Sequence, residues 1–309
     1  MSKILVTGGA GNVASALIAR LAQDADNTIV IADNLLTGSM SKVPKDRSNV
    51  IFIKCDVNDY NDISPLFFAY NFEYVFHFAA VVGVQRTLEN PLMVLNDIRG
   101  IENVLSLSKN TGVRRVYYSS SSEVYGEPFE IPQNELTTPL NSRLPYAIVK
   151  NVGEAFLKTY YQEFGLNYLI FRFFNTYGPN QSEDFVVPRF IRQALNNEDI
   201  TIYGDGSQTR TFCYVDDNVE ACVNAHYTGA VENDTINIGS DVECSIRSLA
   251  EKVIDICGSS SNIIHLPPLP EGDMTRRQPD ITKMKGLLDH DLVPLEEGIQ
   301  RLVEYYRSR

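Results

Sequence analysis

Tyr146 and Lys150 stand four residues apart in Tyr146-Ala-Ile-Val-Lys150, downstream of Ser119-Ser-Ser-Ser-Glu-Val-Tyr-Gly126. In a helix that spacing puts both side chains on one face, one turn from each other. An ammonium beside a phenol favours the phenolate and is expected to lower the Tyr146 pKa toward neutrality. A tyrosine so tuned takes a proton from a hydroxyl while hydride leaves the same carbon. Tyr-x-x-x-Lys alone also describes an ordinary helical pair; its meaning here comes from the start of the chain. Ile4-Leu-Val-Thr-Gly-Gly-Ala-Gly-Asn-Val-Ala14 reads as a strand, a glycine-rich turn and the opening of a helix. Gly8 and Gly11 let backbone approach a pyrophosphate, and the helix beginning at Asn12 and Val13 offers its N-terminus to the negative charge. Ala14 takes the third small position and still permits close helix–strand packing.

Asp33 ends the second strand, in Ile31-Ala-Asp-Asn-Leu35. A carboxylate there accepts hydrogen bonds from both hydroxyls of an adenosine ribose and repels a 2′-phosphate. The next basic residue is Lys42, so NAD is expected in preference to NADP. Asp56, after the third strand and followed by Val57, either reaches the adenine amino group or caps a turn. Phe78-Ala-Ala80 ends the fourth strand with small side chains that let a dinucleotide lie close. His77, just before, reads as a satisfied core residue.

These residues need a scaffold, and the hydrophobic pattern supplies one. Strands are expected at Ile4–Thr7, Thr28–Ala32, Val50–Ile53, Tyr74–Phe78, Arg115–Ser119 and Tyr168–Arg172. Helices are expected at Asn12–Ala22, Ile63–Tyr70, Pro91–Asn110 and Tyr146–Phe164. Alternation of continuous apolar strands with helices predicts an α/β fold with a doubly wound parallel sheet. After about Thr176 short strands (Ile200–Tyr203, Thr211–Tyr214, Thr235–Ile238) mix with helices (Val186–Leu195, Val215–His226, Ile246–Cys257, Leu295–Tyr306), and Leu266–Gly272 reads as a loop. The expected division is a dinucleotide-binding domain over residues 1–175 and a smaller mixed α/β substrate lobe over residues 176–309. Some segments of that lobe are expected to return to the first domain.

Bulk properties narrow the partners. The net charge of −12 opposes nucleic acid and anionic membranes, so an anionic substrate needs a local arginine cluster. No apolar run is long enough to span a bilayer, and Met1-Ser-Lys-Ile-Leu-Val runs straight into a strand without the pattern of a secretory signal. The five cysteines are scattered and read as reduced buried thiols; the four histidines show no metal-ligand spacing. A cytoplasmic protein without a structural metal is expected.

Taken together, Thr7-Gly-Gly-Ala-Gly11, Asp33-Asn34, Ser121 with Glu123-Val-Tyr-Gly126, Tyr146-x-x-x-Lys150 and Phe173-Phe-Asn-Thr-Tyr-Gly-Pro179 resemble an extended short-chain dehydrogenase/reductase of the nucleotide-sugar epimerase/dehydratase/decarboxylase group. Tyr203-Gly-Asp-Gly-Ser-Gln-Thr-Arg210 and Arg276-Arg-Gln-Pro-Asp280 extend the likeness over nearly the whole chain. The resemblance implies NAD that is reduced and reoxidised in each cycle, with Tyr146 deprotonating the sugar 4-hydroxyl. It implies that Lys150 binds the nicotinamide ribose and that Ser121 hydrogen-bonds the reacting oxygen. Asn34, Val57 and Ser119 join the cofactor site, and Asn175, Val187 and Tyr203 the substrate site. Arg210 and Arg276 are expected to neutralise the diphosphate of a nucleoside-diphosphate sugar, most plainly a UDP-sugar. For each arginine a surface salt bridge is the plain alternative.

Subclass turns on the fate of the ketone formed at C4. A 4-ketone acidifies the C5 hydrogen and labilises a C5 carboxylate. Glu123 resembles the glutamate of dehydratases and UDP-glucuronate decarboxylases, where many 4-epimerases carry a small residue. Ser122 departs from the aspartate of many 4,6-dehydratases, and Asp97 from a usual asparagine, so no role is carried onto Asp97. The stretches 204–217 and 277–283 resemble decarboxylases; 144–150 and 183–189 resemble 4-epimerases. A lyase is expected ahead of a 4-epimerase. A catalytically silent dinucleotide-binding protein is opposed by intact Ser121, Tyr146 and Lys150, and an NADPH-dependent ketoreductase by Asp33. Helices Pro91–Asn110 and Tyr146–Phe164 are apolar on more than one face. The resemblance implies a homodimer through them, although intramolecular packing would use the same residues.

Overall fold

The chain is described by a computed structural model over residues 2–267 and 276–309. Strand β1 (Ser2–Thr7) shows why the pattern folds as it does. Ile4 and Val6 enter one hydrophobic cluster and Leu5 the opposite one, all three with no exposed surface. A strand buried on both faces must lie inside a sheet covered by helices on either side. Each such side chain contributes roughly 1.5–3 kcal/mol by leaving water.

Six more strands join β1: β2 (Asn27–Asp33), β3 (Val50–Lys54), β4 (Tyr74–His77), β5 (Arg115–Ser121), β6 (Asn167–Phe173) and β11 (Asp234–Ile238). Their order is β11-β6-β5-β4-β1-β2-β3, and every pairing is parallel. The order reverses between β1 and β4, which opens a crevice at the carboxyl ends of the strands. Helix α1 (Asn12–Leu21) covers one face together with α7 (Val215–Thr228). Helices α2 (Tyr60–Tyr70), α4 (Pro91–Thr111) and α5 (Pro145–Phe164) cover the other. Proline at the first position opens α4 and α5, and Gly112 and Gly165 close them in the left-handed region, at φ +79° and +71°.

A third cluster holds the remaining lobe: α6 (Val186–Leu195), β8 (Ile200–Tyr203), α8 (Ile246–Cys257) and α10 (Leu295–Arg307). Helix α7 and strand β11 come from the same half of the chain but are built into the large sheet and its cover.

Several local expectations are corrected. Helix α2 begins at Tyr60, not Ile63, because the Asp59 carboxylate accepts the Asn61 N–H at 2.9 Å and caps the first turn. The run 211–214 is two strands: β9 (Thr209–Thr211) pairs antiparallel with β12 (Glu243–Ser245), and β10 (Cys213–Tyr214) pairs parallel with β7 (Thr176–Tyr177). Strand β13 (Ile263–Leu266) lies beside β8, and short helix α3 (Val84–Glu89) precedes α4; neither was expected from the sequence. Of the loop expected over 266–272, Leu266 closes β13 and residues 268–272 lie outside the described residues. All five cysteines are free and buried, and among the described residues no helix is long and apolar enough to cross a membrane.

One ion pair lies inside this apolar frame. The Glu154 carboxylate of α5 takes Arg172 of β6 in a bidentate grip, at 2.9 and 2.7 Å, with both side chains buried. Ser120 donates to the same carboxylate at 2.6 Å. Glu154→Leu, which strands the guanidinium without a counter-charge, is expected to cost about 3–5 kcal/mol in urea unfolding. Adding Arg172→Met should return most of that loss; a single variant as stable as the parent would show the pair to be dispensable.

Candidate active site

Helices α1, α3, α4, α5 and α6 and strands β2, β5, β6 and β7 all contribute to one cavity of about 650 Å³ at the strand carboxyl ends, within the size of small-molecule sites. The β1–α1 turn forms one wall. Gly8 adopts φ +68°, and a Cβ there would lie 2.6 Å from the Ala79 backbone nitrogen, so the close passage of the β4 end requires glycine. Gly8, Gly11, Asn12 and Val13 line this wall. Asp33 is buried at the end of β2, and its two oxygens accept the Ala10 N–H at 2.9 Å and the Leu35 N–H at 2.7 Å. Each oxygen keeps a further lone pair for a ligand hydroxyl. Lys42 also lines the cavity, its pKa pushed down by burial and drawn up by Asp33.

Asn34, Asp56, Val57, Phe78, Ala79, Ala80 and Ser119 continue the lining. Asp56 does cap a turn, accepting the Asn58 N–H at 2.9 Å, and still faces the cavity. A glycine cradle at a helix start, a carboxylate with spare lone pairs and a small-residue wall fit a dinucleotide bearing an unphosphorylated adenosine ribose.

His77 sits beneath that wall. Its Nδ1 is 2.8 Å from Thr7 Oγ1, which also accepts the N–H groups of Phe78 and Ala79, each at 3.2 Å. The Thr7 hydroxyl proton therefore goes to His77, which stays neutral; burial lowers its pKa to about 3. This agrees with a core histidine.

Tyr146 faces the cavity from the first turn of α5, with Ser121 at the end of β5 opposite it. Lys150 lies one turn further on, fully buried. Its Nζ donates to the Ser119 carbonyl at 2.6 Å and stands 5.7 Å from the Tyr146 ring centre. Burial lowers the Lys150 pKa to about 8, against the opposing field of Asp97. The expected lowering of the Tyr146 pKa is corrected. Burial, reinforced by the Glu123 carboxylate, raises it well above the ordinary phenol value, and a hydrogen bond with Ser121 pulls the other way. Desolvation of the anion outweighs an ammonium that lies below the ring and is held by a backbone carbonyl.

Glu123 lies on the short 3-10 turn Ser122–Tyr125, capped by the Ser121 hydroxyl, which accepts the Glu123 N–H at 3.2 Å. Its Oε1 takes a 2.7 Å hydrogen bond from Arg277 Nη1, and Ser122 Oγ accepts from the same nitrogen at 3.4 Å. Glu123 Oε2 and Arg277 Nε are buried with no partner among the described residues. Both residues line the cavity.

Asn175, at φ +29°, and Val187 also line it. Tyr203, Arg210 and Arg276, like Lys150, lie outside that lining. Arg276 points outward, where Nε and Nη2 each bond Glu243 at 2.6 Å. Arg210 is buried in β9 opposite Cys244 and donates to the Thr209 carbonyl at 2.8 Å. Tyr203 ends β8, its ring centre 5.9 Å from the Arg189 guanidinium carbon. Arg277 was missed. Adjacent residues of an extended segment face opposite sides, so the pair Arg276-Arg277 was a signal that one of them turns inward. Asp97, to which no role was carried, also lines the cavity and accepts the Val81 N–H at 2.7 Å.

Comparison with known proteins agrees with this geometry. Residues 4–239 match the model of the NAD dependent epimerase/dehydratase family. The chain is 34% identical to a UDP-N-acetyl-alpha-D-glucosaminuronate decarboxylase of Bacillus cytotoxicus, over 99% of this chain and 98% of that one. It superposes with TM-score 0.93 and 32% identity on a UDP-glucose 4-epimerase of Thermotoga maritima solved with UDP-glucose, covering 99% of both chains. A dTDP-glucose 4,6-dehydratase of Streptomyces venezuelae with NAD bound superposes with TM-score 0.91 at 26% identity, over 99% of this chain and 97% of that one.

The neutral state of His77 has a measurable consequence. As pH falls below about 6.5 the unfolded chain takes up this proton and the folded chain does not, until about pH 3. Stability contributed by His77 is therefore present above that window and lost on acidification through it. A His77→Gln variant should show a flatter fall of the urea midpoint between these limits; a slope equal to the parent's would remove His77 from the acid response.

Proposed function

The chain belongs to the NAD-dependent epimerase/dehydratase family and is an NAD-dependent nucleotide-sugar enzyme, and on that basis we propose that it decarboxylates a UDP-linked hexuronate through a 4-keto intermediate. The observation that carries this reading is the Glu123–Arg277 pair at the cavity wall, with one oxygen and one nitrogen left unpartnered. A buried cation suits a substrate that bears a carboxylate on C5, where a neutral hexose offers only a hydroxymethyl group. UDP is favoured because relatives named for UDP-sugars match along nearly the whole chain.

In this reading Tyr146 accepts the C4 hydroxyl proton and Ser121 holds the same oxygen in line. When bound, NAD would supply the hydride acceptor for C4 and a positive charge that favours the phenolate. Lys150 would bind the nicotinamide ribose, and the strand ends around Asp33 and the Gly8 turn would hold the adenosine half. Once C4 is a ketone, the C5–C6 bond breaks as carbon dioxide leaves, and its electron pair passes to the C4 carbonyl. Arg277, held in place by Glu123, orients the departing carboxylate, so both residues bear on the release of carbon dioxide. Glu123 takes up a proton from water and passes it to C5, returning to the carboxylate, and Tyr146 then returns its proton to O4 as C4 is reduced again. Asn175 and Val187 contact the substrate from the far wall. The lobe formed by α6, β8, α8 and α10 is assigned to the nucleotide.

A 4-epimerase is the second reading, favoured by the 0.93 superposition on such an enzyme. It would use Tyr146 and Ser121 in the same way and leave Glu123 and Arg277 as sugar contacts. We also assign a homodimer to the outer faces of α4 and α5, where Leu92 is 81% exposed and Leu95 and Ile148 are each 38% exposed. Sedimentation should find two copies for the parent and one for Leu92→Glu; a monomeric parent would remove this assignment.

The chemistry is tested by product mass after incubation with UDP-hexuronates and UDP-hexoses. Loss of carbon dioxide is expected, not loss of water or an unchanged mass. Tyr146→Phe should lose about 10²–10⁴-fold in turnover. Glu123→Gln should retain C4 oxidation, seen as reduced cofactor, and fail to release carbon dioxide. Undiminished carbon dioxide release by that variant would take Glu123 out of the mechanism.

A further inference from the structure

Glu123 and Arg277 lie far apart in the sequence, yet their contact is a single hydrogen bond at 2.7 Å. Some structure must hold both backbones in register. One buried amide touches both. Asn237 of β11 is fully buried, and three of its four side-chain hydrogen-bonding positions are filled, including both N–H donors. Its Oδ1 accepts the Tyr125 hydroxyl at 2.7 Å, and Tyr125 ends the turn that carries Glu123. Its Nδ2 donates to the Asp280 carbonyl at 3.2 Å, three residues beyond Arg277, and to the Gln133 carbonyl at 2.9 Å. Gln133 in turn pairs by backbone with the same strap, accepting the Asp280 N–H at 2.8 Å and donating to the Gln278 carbonyl at 2.7 Å. Behind Tyr125 stands Arg172, whose Nη1 donates to the Tyr125 hydroxyl at 2.7 Å while Glu154 fixes the rest of the guanidinium.

We propose that Asn237 is a positioning residue that sets the register between the Glu123 turn and the Arg277 strap, and so controls the step after C4 oxidation. The inference rests on the reading in which Glu123 and Arg277 act on the 4-keto sugar. Asn237 itself is not among the residues that line the cavity, and its side-chain hydrogen bonds among the described residues go to Tyr125, Gln133 and Asp280. Removing it should therefore leave hydride transfer intact and misplace the pair. Leucine is close to asparagine in size but offers no polar group, so Asn237→Leu cuts all three side-chain bonds at once. Tyr125→Phe removes only the hydroxyl that joins the turn to Asn237 and serves as a milder second variant.

Two readouts decide the matter. The first is amide hydrogen exchange in the protein without sugar, which does not depend on the chemistry. Exchange at Gln133 and Asp280 should quicken about tenfold in Asn237→Leu, while the β1 amides stay as protected as in the parent. The second is single-turnover kinetics on the UDP-hexuronate. C4 oxidation should stay within about threefold of the parent, while carbon dioxide release slows about 10- to 100-fold and 4-keto sugar accumulates. Tyr125→Phe should move both readouts in the same direction by less. Unchanged exchange at Gln133 and Asp280 in both variants would overturn the proposal. So would parent-like carbon dioxide release despite faster exchange, or equal losses in both kinetic steps. Glu123→Gln run in parallel separates this from the underlying reading. If that variant releases carbon dioxide at the parent rate, the role of the pair is wrong, and the exchange result alone decides whether Asn237 holds the strap.

Discussion

The Glu154–Arg172 ion pair beneath the cavity governs how the elements around it are placed. A buried charge must be paired and hydrogen-bonded or it costs several kcal/mol, so this pair dictates the geometry of its neighbours. Glu154 lies one turn after Lys150 on α5, and Arg172 precedes Phe173 at the end of β6. Ser120 donates to Glu154, which fixes the end of β5 just before Ser121. Arg172 reaches on to Tyr125 and through it to Asn237. Helix α5, strands β5 and β6, the Glu123 turn and strand β11 thus share one polar network inside an apolar frame. Fully satisfied networks of this kind specify a unique arrangement.

The electrostatics of the cavity follow from the same burial. Tyr146 is held neutral, Lys150 is lowered to about 8, and Arg277 is buried against one carboxylate oxygen of Glu123. All of these groups are removed from bulk water. Each becomes catalytically suited only when a ligand adds charge: a cation beside the phenol, an anion beside the guanidinium. The shifted pKa values of Tyr146 and Lys150 mark a functional site, and the groups around it divide by position. Tyr146, Ser121 and Lys150 gather near the ends of β5 and α5, whereas Glu123 and Arg277 face them from the 3-10 turn and the C-terminal strap. That division matches the two steps of the proposed reaction, oxidation at C4 and a change at C5.

Much of the fold was legible because it is written in short-range pattern. Continuous apolar runs such as Ile4–Thr7 can only be buried strands, and proline before α4 and α5 with glycine after them marks helix ends. The cofactor wall was legible for the same reason, since Gly8, Gly11 and Asp33 lie on consecutive elements. The misses are of another kind. The run 211–214 divides at Phe212 because its two halves pair with different partners, β12 and β7. Strand β13 has a half-exposed pattern, and its place beside β8 supplies what its own residues do not signal. Arg276 was expected in the site and Arg277 was not, because the competing partner Glu243 is remote in sequence.

Residue pattern alone was enough for the doubly wound sheet, the dinucleotide turn, the preference for an unphosphorylated ribose and the Tyr146–Lys150 face. Each rests on residues within a few turns of one another, where periodicity and backbone sterics leave few choices. Only the folded chain settles which arginine turns inward, that the Tyr146 phenol rests neutral, and that one asparagine joins the Glu123 turn to the Arg277 strap. Those outcomes depend on contacts such as Glu123–Arg277, 154 residues apart, and on how much water burial removes, quantities that exist only once the chain has closed on itself.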